Sequence, residues 1–291
     1  MCYYPILLQD HTTKDGMRNL KPRLVPCGKC FECLQNRRAQ WSFRLNEELK
    51  KASSAVFLTL TYNDENLPKI SGNVVLKKKH LQDYFKRVRS ASKSPFKYYA
   101  VGEYGEKNSR PHYHAIIFNC DRLLLYQKWC NDDGSPIGIV HLGDVTPASI
   151  HYVTGYVMKK HGDVDYKHGY VAKNYEGKKT EMYWAQKAVE LPSWYVPPFS
   201  IMSKGLGLAY VNNAQLYHLS NETFKTQEGG NIPRYIKDKI FEGYEEIREQ
   251  VTEKERIEFM AKAIKTGYVQ VIGKRKGGRL TAKSQTKKKK L

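Results

Sequence analysis

The chain has no run of 18 or more apolar residues, which excludes an ordinary membrane-spanning helix. Its opening, MCYYPILLQDHTTKDG, lacks both the basic flank and the long apolar stretch of a signal peptide, so the protein is expected to stay in the compartment where it is made. Cysteine is sparse, six in 291 residues, too few for a disulfide scaffold, and without a secretion signal the thiols are expected to be reduced. No internal repeat is present. Acidic residues are the scarce charge, with 29 Asp and Glu against 49 Lys and Arg and a net charge of +20. That balance attracts a polyanion and points to nucleic acid before any other partner. Part of the excess lies in residues 273–291, which hold nine basic residues and no acidic one and read as a disordered tail. The rest of the chain is basic as well, and its 21 tyrosines suit base stacking as well as core packing.

The segment PCGKCFECLQNRRAQWSFRLNEELKKA opens with Cys27, Cys30 and Cys33 and continues as a helical pattern. Leu34, Trp41, Leu45 and Leu49 lie on one side and Arg37, Arg38 and Arg44 on the other. SAVFLTLTYNDENLP reads as a strand stopped by turn residues at Asn63, Asp64, Asn66 and Pro68. In KKKHLQDYFKRVRS the apolar Leu81, Tyr84, Phe85 and Val88 recur at helical spacing, with Lys86, Arg87 and Arg89 outside. KYYAVGEYG and HYHAIIFN are two strands whose short connection predicts a hairpin. YQKWC predicts a short helix, Ile137–Leu142 a strand, and Pro147 to about Lys160 a helix with Thr146 as N-cap and Pro147 in its first position. Pro192, Pro197 and Pro198 mark a boundary or linker, and residues 232–265 predict one long helix with the stripe Ile236, Ile240, Tyr244, Ile247 and Val251. The resulting division is a cysteine segment and helix over 1–50, a core over 51–190, a mostly helical region over 191–272 and the tail.

Strand alternation puts His112, His114, Ile116 and Phe118 on one face and Tyr113, Ala115 and Ile117 on the other. Two imidazoles thus project side by side, and Glu103 on the paired strand offers a carboxylate, a two-nitrogen, one-oxygen set with open positions. Such a set suits Mg²⁺ or Mn²⁺ with a phosphate substrate, or Zn²⁺; an isolated H-x-H is equally compatible with partly exposed sheet residues. Arg110 beside the pair is a candidate phosphate contact, and Lys86, Arg87 and Arg89 are further candidates for DNA binding. Tyr152 and Tyr156 stand four apart on one helix face, followed by Lys159 and Lys160. Most such tyrosine pairs are packing stripes; a phenol becomes a nucleophile only where a metal-bound phosphate or a cation favours the phenolate. The C-x₂-C-x₂-C cluster suits a structural Zn²⁺ with Cys2 as fourth ligand, and also an iron–sulfur cluster or plain thiols; zinc is the favoured reading.

The order FLTLTYNDENLP, GEYGEKNSRPHYHAIIF, YVTGYVMKK resembles the three motifs of the His-hydrophobe-His rolling-circle replication endonucleases. It is most similar to the initiators of small circular single-stranded DNA phages of the gokushovirus type, over roughly residues 20–210. The resemblance implies an α+β fold of RRM or ferredoxin-like kind, a central antiparallel sheet flanked by helices, with a helical C-terminal extension. It implies that His112, His114 and Glu103 hold a divalent metal, Mg²⁺ or Mn²⁺, and that Tyr152 and Tyr156 are paired nucleophiles. Thr59, Thr61 and Asp64 fall in the first motif. Related initiators often carry Lys directly before the second tyrosine; here that position is Gly155, and the activating cation is assigned to Lys159 or Lys160.

The implied reaction is site-specific nicking of viral DNA through a 5′-phosphotyrosine, and rejoining into a circle, in the cytoplasm of a bacterial host. Single-stranded and supercoiled circular DNA, a host DNA polymerase and a host helicase are the implied partners. The sequence has no G-x-x-x-x-G-K-[ST], so any helicase is another protein. Two alternatives compete: a non-catalytic, zinc-stabilised single-strand-binding protein, for which charge, tyrosines and cysteines suffice, and a plasmid relaxase or transposase with the same chemistry.

Overall fold

The structure, a computed structural model, describes residues 6–8, 11–12, 18–19, 23–26, 28, 31–105, 109–159 and 193–265. Two short ladders come first, β1 (Ile6–Leu8) pairing with β4 (Arg23–Val25) and β2 (His11–Thr12) with β3 (Arg18–Asn19). Then follow α1 (Phe31–Lys51), β5 (Ala55–Leu60), the ladder β6 (Lys69–Ile70) with β7 (Asn73–Val74), and α2 (Lys78–Ala91). The hairpin β8 (Lys97–Tyr104) and β9 (Pro111–Phe118) leads to α3 (Arg122–Gln127), β10 (Val140–Asp144) and α4 (Pro147–Lys159). Farther along lie β11 (Phe199–Met202), α5 (Ala209–Ser220), α6 (Arg234–Ile240) and α7 (Glu245–Lys265).

Five strands form one sheet in the order β10-β5-β9-β8-β11, every neighbouring pair antiparallel. The chain is thus an α+β protein in which helices flank an antiparallel sheet and further helices follow it. The histidine strand β9 sits at the centre, and its alternation sorts two cores. Tyr113, Ala115 and Ile117 join Leu58, Leu60 and Ala100 under α2, whose predicted stripe of Leu81, Tyr84, Phe85 and Val88 is buried there. Ile116 and Phe118 join Tyr99 and Val101 under α1 and α4, through Leu45, Ile150, Val153 and Tyr156. Each fully buried large side chain contributes on the order of 1.5–3 kcal/mol, so a sheet covered on both faces is held in register from both sides. No helix among the described residues is long and apolar enough to cross a membrane.

Several sequence expectations are corrected in detail. The single long helix over 232–265 is two helices, because Gly243 takes a left-handed φ of 84° between α6 and α7; the helical stripe continues across the break, with Ile236, Ile240 and Val251 buried but Tyr244 exposed. The helix expected at YQKWC lies earlier, at α3, because the Asp121 side chain accepts a hydrogen bond from the Leu123 amide at 2.8 Å and so caps it there. β11 follows Pro198 and closes the β8 edge of the sheet, and α5 carries no clear apolar period that would have announced it. The arginine face of α1 is covered in part: Arg44 stacks on Trp41 and Tyr235 and donates to the Leu206 carbonyl at 3.0 Å, while Arg37 is exposed.

The expected strand over 137–142 begins as a ladder without regular geometry. The Asn63 and Thr61 amides donate to the Ile137 and Ile139 carbonyls at 2.9 and 3.0 Å. Between them Gly138 lies so close to β5 that a Cβ would stand 2.1 Å from the Thr61 oxygen. Gly138→Ala is expected to prise this segment off β5 and cost about 1–3 kcal/mol, lowering the melting temperature by several degrees. Gly143→Ala, whose Cβ would meet nothing nearer than 3.9 Å, is expected to leave the melt nearly unchanged; equal melts for the two variants would show that the close approach does not constrain the fold.

Candidate functional site

The register of the hairpin sets Glu103 directly opposite His112, and the β5–β9 register sets Thr59 opposite His114. All four side chains emerge on the sheet face that α1 and α4 cover. Glu103 and His114 are buried and His112 is half-buried. Glu103 Oε1 lies 2.8 Å from His112 Nε2 and 3.2 Å from His114 Nε2, and one ligand atom from each of the three lies within 4.8 Å of the others. Burial alone would raise the Glu103 carboxyl, but hydrogen bonds from His112, His114 and Tyr156 outweigh it and hold the group down at about 2.

The donor set fits a divalent cation, and the surrounding hydrogen bonds orient it. His112 Nδ1 faces the Arg110 carbonyl at 3.1 Å and Nε2 faces the Glu103 carboxylate at 2.8 Å; both partners only accept, and a cation bound between Nε2 and the carboxylate would take the place of the Nε2 proton while Nδ1–H stays on the carbonyl. His114 Nδ1 lies 2.9 Å from Thr59 Oγ1, leaving His114 Nε2 on the side of the carboxylate. A metal-ligating imidazole held by its other nitrogen in this way has a fixed ring orientation and tautomer. The ring of Phe57, two residues before Thr59 on the same face, stacks on His114 at 5.6 Å.

The tyrosine helix lies against this cluster. α4 begins where the sequence indicates, with Thr146 Oγ1 accepting from the Ser149 amide at 3.2 Å and the Ser149 hydroxyl 2.8 Å from the Thr146 amide. The Tyr156 ring is parallel to His114 at 5.8 Å, Tyr152 meets His114 edge-on at 5.4 Å, and the two phenols are 5.1 Å apart by ring centroid. They are not equivalent. Tyr156 is 5% exposed and Tyr152 50%. Burial, then hydrogen bonds with Glu103 and Tyr152, push the Tyr156 phenol far above its ordinary range.

The other sequence candidates fall in different places. Arg110 adjoins the site and is held by Asp64 Oδ1 and the Tyr62 carbonyl, both at 2.6 Å. Lys86, Arg87 and Arg89 stand on α2, which packs on the opposite face of the sheet. There Arg87 donates to the Lys128 carbonyl at 3.2 Å and Arg89 lies over the rings of Phe96 and Tyr98. Lys159 ends α4, and Lys160 lies outside the described residues, as do Cys2, Cys27 and Cys30; Cys33 is buried near the start of α1. The tail over 273–291 is likewise outside them. The contacts of Thr59 and Phe57 with His114, and of Asp64 with Arg110, escaped residue-level reading. The alternation of FLTLT could have placed Phe57 and Thr59 on one face, but not opposite β9.

A family model for replication-associated proteins of the ORF2 kind matches residues 55–161, from the first residue of β5 to just past α4. The chain is 30% identical over 235 residues to "Replication-associated protein ORF2" of Spiroplasma virus 4, covering 73% of this chain and 66% of that protein. It is 30% identical over 180 residues to "Replication-associated protein VP4" of Bdellovibrio phage phiMH2K, covering 55% and 56%. Over 156 residues it is 30% identical to "Replication-associated protein ORF4" of Chlamydia phage 1, covering 47% and 38%. The chain thus spans two thirds or less of the length of these relatives. No solved structure matches.

Two measurements probe the cluster itself. Thr59→Val removes the partner of His114 Nδ1 and is expected to weaken Mn²⁺ binding about 10–100-fold in calorimetric titration; undiminished affinity would exclude Thr59 from orienting a ligand. Because the folded state depresses the Glu103 carboxyl from 4.5 to about 2, its contribution to stability is complete above pH 4.5 and is lost as the pH falls toward 2. Glu103→Gln is therefore expected to flatten the decline of metal-free stability over that acid range, measured by denaturant titration at successive pH values.

Proposed function

The chain belongs to the family of phage replication-associated proteins, and from that premise we propose that it is a rolling-circle replication initiator that nicks and rejoins viral DNA through its two tyrosines. One observation carries the reading: two phenols one helical turn apart both meet one histidine, Tyr156 stacked and Tyr152 edge-on, of a largely buried two-imidazole, one-carboxylate cluster. A packing stripe needs none of these polar partners, and a single-strand-binding surface needs no buried carboxylate.

Glu103, His112 and His114 would hold the divalent cation, Mg²⁺ or Mn²⁺. When bound, it supplies charge neutralisation and polarisation at a phosphate oxygen. The protein's own residues supply the rest. A tyrosine phenol oxygen attacks the scissile phosphorus; the new O–P bond forms as the P–O3′ bond breaks, the phenol proton is released, and the departing 3′ oxygen leaves as a hydroxyl. The 5′ phosphate stays on the tyrosine as a diester, so the bond energy is retained and joining needs no nucleotide. The released 3′-hydroxyl primes a host polymerase, with strand opening by a host helicase, in the bacterial cytoplasm. Tyr152, half exposed, takes the first strand; Tyr156, buried against His114 and bonded to Glu103, acts on the regenerated junction while Tyr152 still holds its end. Thr59 orients His114, and Arg110 fixes the loop before β9 through Asp64 and the Tyr62 carbonyl. Lys159 or Lys160 is the activating cation in this reading, and the basic surface supplies affinity for the strand.

The test uses supercoiled replicative-form phage DNA with Mn²⁺ or Mg²⁺. Nicked circles carrying covalently bound protein are expected from the wild type and from Tyr156→Phe, with joining lost in the latter. Tyr152→Phe is expected to lose the first cleavage, and His112→Ala to lose cleavage while keeping most of its DNA affinity. A protein–DNA adduct formed by the Tyr152→Phe, Tyr156→Phe double variant would sink the proposal, as would a wild type that forms none with any divalent metal.

A further inference from the structure

One cation outside the motif residues is seated on the tyrosine helix. Arg38, on α1, is half-buried, and its Nη2 donates to the carbonyl oxygen of His151 at 2.9 Å. A Cβ at Gly155 would stand 3.3 Å from the same nitrogen and 3.5 Å from Cζ. The guanidinium therefore lies along the stripe formed by residues 151 and 155, which are i, i+4 neighbours and which immediately precede Tyr152 and Tyr156. Glycine inside a helix costs about 1 kcal/mol relative to alanine; at this position it leaves room for the arginine that an alanine would crowd.

The position of this charge is fixed by more than its own contacts. One turn farther along α1, Ser42 Oγ lies 2.8 Å from Thr154 Oγ1. The Thr154 hydroxyl donates to the Ile150 carbonyl at 2.8 Å, so the serine donates to the threonine and ties α1 to α4. The Nε side of the guanidinium is buried, while the neighbouring Arg37, His151 and Tyr152 are exposed. A guanidinium stays charged at working pH, and its fork matches two oxygens of one phosphate. A strand with one phosphate at the Glu103 cluster and its next residues along α4 would bring a neighbouring phosphate to this guanidinium.

We infer that Arg38 is a phosphate-binding residue of this protein, gripping the phosphodiester of single-stranded DNA that lies along the tyrosine helix beside the one under attack. The inference rests on the proposed reaction for its setting, but its test needs no reaction. Binding of the full-length protein to a fluorescein-labelled oligothymidylate is measured by anisotropy over a series of salt concentrations in metal-free buffer containing EDTA. Each phosphate contact on a single strand contributes about 0.7 to the slope of log K against log salt. Arg38→Gln is expected to lower the slope by about that amount and to weaken binding several-fold at low salt, whereas Arg38→Lys keeps the slope because it keeps the charge. A slope unchanged in Arg38→Gln, with or without weaker binding, overturns the inference and leaves Arg38 as a brace between helices. If Arg38→Gln fails to fold, Arg38→Met decides instead: it keeps an unbranched stem against α4 but removes the charge, and a wild-type slope then overturns the proposal. A slope loss in a protein that forms no covalent adduct would count against the nuclease reading and leave the phosphate contact standing.

Discussion

The antiparallel register of three strands is the constraint on which the rest depends. Side chains alternate across a strand, so a slip of one residue between β8 and β9 would carry Glu103 to the α2 side of the sheet and leave both imidazoles facing no carboxylate. The hairpin turn resists that slip. The Gly105 amide donates to the Arg110 carbonyl and the Ser109 amide to the Gly105 carbonyl, both at 2.9 Å, with Ser109 in the left-handed region at φ 50°. Arg110 then ties the end of the turn to Tyr62 and Asp64 beyond β5. On the far side of the sheet the Tyr113 hydroxyl lies 2.7 Å from that of Tyr62 and donates to the Lys77 carbonyl. The polar cluster is thus pinned by the hydrophobic and hydrogen-bonded layer beneath it.

Burying a carboxylate is costly unless its lone pairs are occupied. Glu103 meets that requirement with two imidazoles from one strand and a phenol from α4, drawing sheet and helix onto one group. The same arrangement explains why α4 is held so firmly from its other side. Ile150 and Val153 fill the core over β8 and β9, while Ser42 and Arg38 fasten the helix to α1. A tyrosine pair displaced by an ångström would lose both the stacking on His114 and the bond to Glu103.

Local patterns in the sequence announced most of the pieces and little of their pairing. Helix α2 was legible because Leu81, Tyr84, Phe85 and Val88 keep a helical period beside a polar remainder, and all four are buried. The histidine strand was legible because HYHAIIF alternates, and the two cores divide along that alternation. Thr59 could be placed on a strand face but not opposite His114, because 55 residues separate them and no local rule specifies a non-local register. Arg38 and Arg44 were legible only as the charged side of α1. That they are covered, by α4 and by Tyr235, depends on elements more than a hundred residues away. The unpredicted break at Gly243 is the reverse case, a local signal outweighed by the apolar stripe that runs across it.

The inequality of the two tyrosines follows from the way one cluster serves a helix. Residues four apart are separated by about 6 Å along the axis, so only one phenol can sit over the carboxylate, and Tyr156 does. Tyr152 stands nearer the open end, edge-on to the same histidine. On the proposed reading, this asymmetry orders the two strands. A phenol at the mouth can accept an incoming strand without disturbing the cluster, whereas the inner phenol must first give up its bond to Glu103. Two chemically identical nucleophiles on one rigid helix thus become distinguishable by burial and hydrogen bonding alone.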